Sequence, residues 1–114
     1  MTTSLTNFKS EIQLGTSAAT LISTAGSEKK FLGNVTVTNT SASNVEVTFW
    51  RLGSSTTETD NSGGNWILKE TIPAGRTVRI NQLLGHVLGN SMKISGLADT
   101  AGVINFDGSG TTET

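Results

Sequence analysis

The sequence has no cysteine and a single histidine. The first absence excludes a disulfide framework, a thiolate metal site and a cysteine nucleophile, so the fold must stand on packing or on neighbouring subunits. The second leaves acid–base catalysis without its usual pair of groups. His86 stands alone in Leu83-Leu84-Gly85-His86-Val87-Leu88 and reads as a packed or surface histidine, or as part of a subunit contact. No Gly-x-Ser-x-Gly elbow and no phosphate-cradling glycine motif is present. Charged residues make up only 15% of the chain and the formal net charge is -1, so there is no basic cluster to neutralise phosphates, and nucleic acid is not an expected partner. No run approaches the ~20 apolar residues of a membrane span. The opening Met1-Thr2-Thr3-Ser4-Leu5-Thr6-Asn7 lacks the basic-then-apolar order of a signal peptide. These absences predict a soluble protein that is not an enzyme and takes no cofactor, metal or small-molecule substrate.

At 114 residues the chain has room for one core. Serine and threonine together exceed a quarter of it, the palette of half-buried strands rather than of surface helices. Period-two alternation places Gly33, Val35 and Val37 on one face and Leu32, Asn34, Thr36 and Thr38 on the other. It likewise sets Val45, Val47 and Phe49 against Glu46, Thr48 and Trp50. The two runs are expected to pair as a hairpin across the polar loop Thr40-Ser41-Ala42-Ser43-Asn44. Further alternating runs lie around Leu21, from Trp66 to Ile72, at Val78 and Ile80, at Met92 and Ile94, and at Ile104 and Phe106. The prediction is an all-β fold, a single antiparallel β-sandwich or jelly roll of about seven to eight short strands. Ile72-Pro73-Ala74-Gly75-Arg76 marks a tight turn in which Gly75 takes the positive φ of a type II turn. Residues 81–88 read as a loop with a buried leucine pair. The sandwich is expected over residues 18–108, with residues 1–17 as an N-terminal arm and lead-in and 109–114 as a C-terminal tail, either frayed or ordered on neighbouring subunits.

The order of several pieces carries a resemblance. Ala19-Thr20-Leu21-Ile22 is followed by Val35-Thr36-Val37-Thr38-Asn39-Thr40-Ser41, then Val45-Glu46-Val47-Thr48, Ile72-Pro73-Ala74-Gly75-Arg76-Thr77 and Val103-Ile104-Asn105-Phe106. In this order the chain resembles small β-sandwich virion proteins of tailed bacteriophages, which decorate capsids, project as head fibres or sit in tails and necks. The resemblance implies a virion location after synthesis in the host cytoplasm. It also implies a structural function on the particle exterior, as a capsid-decoration, cement or head-fibre protein packed in repeated copies. The alternative is a tail- or fibre-associated module that binds a host-surface receptor or carbohydrate through the loop at residues 53–64, which has no apolar residue.

Glu58, Asp60 and Asn61 in that loop offer oxygen ligands, but the spaced acids of a calcium-binding loop are missing, and no metal is expected. Asn34-Val35-Thr36 and Asn39-Thr40-Ser41 match glycosylation acceptors and are discounted in a chain without a signal peptide. Trp50 and Leu52 alternate out of phase with the Val45, Val47 and Phe49 face, so they are expected to point outward and form a self-association patch. Arg51 and Arg79, with Arg76, are expected at its rim. The expected partners are other copies of this chain, as a cyclic oligomer and most simply a trimer, together with other virion proteins.

Overall fold

Alternating valines organise two facing sheets. The computed structural model describes residues 2–58 and 66–114. Among these run nine strands: β1 (Thr3–Gln13), β2 (Ala19–Ser23), β3 (Lys29–Asn39), β4 (Val45–Gly53), β5 (Trp66–Ile72), β6 (Thr77–Arg79), β7 (Val87–Leu88), β8 (Met92–Ala98) and β9 (Ile104–Glu113). One sheet has the order β1-β9-β3-β6, with β7 also paired to β3, and the other has the order β2-β8-β4-β5. Every pairing is antiparallel. Leu32, Val35, Val37, Ile104 and Phe106 of the first sheet meet Leu21, Val45, Val47, Phe49 and Ile94 of the second in a single buried cluster. The rings of Phe49 and Phe106 lie 6.0 Å apart within it. Burying each such side chain contributes about 1.5–3 kcal/mol relative to exposure. The chain is therefore an all-β sandwich, as its alternation predicts.

The expected hairpin between the runs at 31–40 and 45–52 does not form. β3 pairs with β6, β7 and β9, whereas β4 pairs with β5 and β8, so the loop between them crosses from one sheet to the other. Two alternating runs satisfy their apolar faces equally well side by side or across a core, and periodicity does not choose between these. The Pro73 turn is a second crossing, from β5 to β6: Arg76 N donates to Pro73 O at 3.2 Å and Gly75 takes φ 70°, as the turn requires.

The face of Leu32 also differs from the alternation. A register shift at Gly33, between Leu32 and Asn34, brings Leu32 into the core and turns Phe31 outward. A glycine inside a strand pattern is a common place for such a bulge.

Both ends of the chain belong to the sandwich, contrary to the expected arm and tail at 1–17 and 109–114. β1 pairs with β9 from Thr3 opposite Glu113 to Gln13 opposite Asn105. Beyond it Thr2 N donates to Thr114 O at 3.0 Å and Thr114 N to Thr2 O at 2.9 Å. This end pairing, together with β7, raises the strand number above the expected one. β1 is an edge strand with register shifts between Asn7 and Lys9 and between Lys9 and Ile12, irregularities that discourage unwanted strand addition. Residues 81–88 hold a 3-10 turn, Asn81–Leu83, and β7, and their fully buried leucines are Leu83 and Leu88. No helix among the described residues is long and apolar enough to cross a membrane.

Candidate interaction surface

The outward patch predicted at Trp50 and Leu52 is not exposed: each is only 4% accessible. Both do lie on the face of β4 turned away from the core. There Trp50 stands between Ser95 of β8 and Ile67 of β5, and Leu52 stands beside Lys93. Lys93 Nζ pairs with Glu58 Oε1 at 2.6 Å, so the chain leaving β4 folds back over this face. Periodicity assigns a side chain to a face but does not say what the chain's own loops lay on it. Residues 59–64 of the predicted binding loop, Asp60 and Asn61 included, lie outside the described residues.

Arg51 and Arg79 do not rim that patch either. Arg51 sits in register with Ile94 and Trp66, on the core side of β4. Its Nη2 reaches across the sandwich to the carbonyl oxygen of Val87 at 3.1 Å, while its Nε is buried without a hydrogen-bond partner. Trp66 packs edge-on against His86 with centroids 5.0 Å apart, which makes the lone histidine a packing residue. Arg79 is exposed on the opposite sheet, in register with Thr36 of β3. The four predicted residues therefore do not share one surface. Asn39, one of the glycosylation candidates, is fully buried. Among the described residues no three His, Cys, Asp or Glu side chains converge as a metal site would require.

The exposed apolar side chains lie elsewhere. Among the described residues the large hydrophobics left exposed are Leu5 at 91%, Phe31 at 48% and Val87 at 44%. The register places all three in one row across the outer face of the five-stranded sheet: Leu5 is opposite Thr111, Thr111 opposite Phe31, and Phe31 opposite Val87. On the same face, one row toward the chain ends holds Thr3, Glu113 and Lys29, and one row inward holds Asn7, Ser109 and Asn34. Farther along, an open depression of about 670 Å³ is lined by Gln13, Thr36, Thr38, Asn105 and Asp107. Two of its polar groups bond to each other, Gln13 Nε2 donating to Asn105 Oδ1 at 3.1 Å, and the hydroxyl of Thr38 shares a bond of 2.9 Å with that of Thr77 beside the depression.

Sequence reasoning missed the row because the bulge at Gly33 reverses the facing of Phe31, and because Leu5 and Val87 each stand in a short polar or irregular context. The glycine within the β3 pattern was the available signal. In comparisons with protein-family models, curated proteins and solved structures, no match to this chain was found.

Proposed function

We propose that this chain is a non-enzymatic structural subunit of a phage particle, packed in repeated copies on its exterior as a capsid-decoration, cement or head-fibre protein. The observation that carries this reading is that the large hydrophobics left exposed among the described residues fall into one row across the outer face of the five-stranded sheet. An exposed apolar row of this kind is a surface suited to being covered by another protein. The order of the β segments, which resembles small phage virion proteins, supplies the setting. A small domain without disulfides gains from such contacts, because each covered apolar side chain adds to a modest core. The test is mass spectrometry of purified particles with copy counting. A structural subunit is present in many copies per particle, whereas a receptor-binding tail module is scarce and binds cells by itself. Absence from particles overturns the reading.

A further inference from the structure

We propose that the outer face of the five-stranded sheet pairs with the same face of a second copy, about a two-fold axis lying between β9 and β3 and parallel to them. This inference rests on the reading of the chain as a self-packing subunit and names the surface it uses. A rotation about that axis preserves each cross-strand row and reverses the order of the strands within it. Leu5 then comes over Val87 of the second copy, Thr111 over Phe31, and Glu113 over Lys29, and symmetry makes each contact twice. Apolar groups meet apolar groups or a threonine methyl, and opposite charges meet across the interface. The other in-plane axis, along the Leu5–Phe31 row, brings Glu113 over Ser109 and Lys29 over Asn34 and leaves both charges without an opposite partner across the interface. Of these two axes, charge complementarity selects the one parallel to the strands, and a second copy is an occupant that supplies the matching charges.

The size of the face sets the strength of the pair. β9 has 10 residues, which makes the face roughly 34 Å long, and four strands span roughly 15 Å. A footprint of about 500 Å² falls short of the ~800 Å² per partner of a stable standard interface. The isolated pair is thus weak and reversible, and concentration is the variable to scan.

The experiment is analytical ultracentrifugation of the full chain over a concentration series. Wild type is expected to move from monomer to dimer, and Phe31→Asp to stay monomeric with unchanged β-type circular dichroism. Lys29→Glu and Glu113→Lys are each expected to weaken the dimer by about tenfold or more, because like charges then face each other across the axis. An equimolar mixture of these two variants should recover the dimer, since each supplies the charge that the other lacks. A wild-type monomer at the highest soluble concentration overturns the proposal. So does an oligomer of any order that is indifferent to Phe31→Asp, or a mixture that fails to recover. Copy counting in particles tests the subunit reading separately: a chain abundant in particles but monomeric alone loses only the two-fold face, and a dimer absent from particles loses only the virion role.

Discussion

The side-chain amide of Asn39 donates to the carbonyl oxygen of Ile72 at 3.0 Å, and this bond joins two of the corners at which the chain crosses between sheets, β3 to β4 and β5 to β6. The same amide nitrogen donates to Ser43 O at 2.8 Å, while Asn39 Oδ1 accepts from Ser41 N at 2.9 Å and Ser41 Oγ at 2.8 Å. The backbone N of Asn39 adds a bond to Arg76 O at 2.9 Å, and Asn44 Oδ1 accepts from Ala74 N at 3.2 Å. One buried polar side chain thus satisfies the backbone groups that a corner leaves without ladder partners. It also ties the end of β3 to the end of β5 across the sandwich.

Asn39→Ala leaves the carbonyl oxygens of Ile72 and Ser43 and the N–H of Ser41 without this partner in or near the interior. It is expected to lower stability by about 2–4 kcal/mol in urea unfolding. Asn39→Asp keeps the shape but turns a carboxylate oxygen toward two carbonyls, so at neutral pH it should cost at least as much as the alanine variant. A loss within error of zero for both would show that the corners hold without the amide.

Gly110→Ala is expected to be far more damaging than Gly75→Ala. A Cβ at Gly110 runs into the backbone oxygen of Phe31 and lies 2.9 Å from Gly33 N, so the β9–β3 pairing must separate at the bulge. The expected cost is about 3 kcal/mol or more. At Gly75, nothing lies within 4 Å of the added atom and only the positive φ of 70° is strained, a cost of about 1–2 kcal/mol. Urea midpoints of the two variants decide the order, and equal losses would mean that the strands shift to admit the methyl group.

The Glu58–Lys93 pair ties the start of the long loop to the outer face of β8, with side-chain exposures of 16% and 12%. A double-mutant cycle with Glu58→Gln and Lys93→Met should give a coupling of about 1–2 kcal/mol, more than an exposed pair supplies, and it should persist at raised salt. Zero coupling would mean that the loop does not hold this position in solution.

The fold class was legible because Val35, Val37, Val45, Val47 and Phe49 repeat with a period of two, and all five are buried. The start of β9 was legible at Ile104 and Phe106, but its last part was hidden for a physical reason. The core face of β9 carries Gly108 and Gly110 where apolar residues would signal a strand, and the space above them is filled by Ile22 and Phe8 from other strands. The pairing of runs into sheets was not legible, since period-two alternation is satisfied equally by strands side by side or across a core, and the hydrogen bonds that Asn39 makes at the corner carry no hydrophobic pattern. The candidate surface failed in both directions for related reasons. Trp50 has an outward-facing position yet is covered within the chain, and Phe31 is exposed because one bulge at Gly33 reverses its facing.

Trp50 and Phe31 therefore make opposite predictions. Trp50, at 4% exposure, is held between Ser95 and Ile67 on a face to which Glu58 folds back. Truncating it opens a cavity and costs about 3–5 kcal/mol, a large part of the roughly 5–15 kcal/mol that holds a domain folded. Trp50→Ser should lower the melting temperature by more than about 10 °C, at low and high protein concentration alike, without passing through a folded monomer. Phe31 is 48% exposed in the single chain, so Phe31→Asp removes little packing within it. Its melting temperature should match that of dilute wild type, and it should lack any rise with protein concentration that wild type gains from association. Thermal melts of both variants at two concentrations separate a core residue from a contact residue. If Trp50→Ser is a stable folded monomer, or if Phe31→Asp melts far below dilute wild type, then the roles of the two faces are reversed.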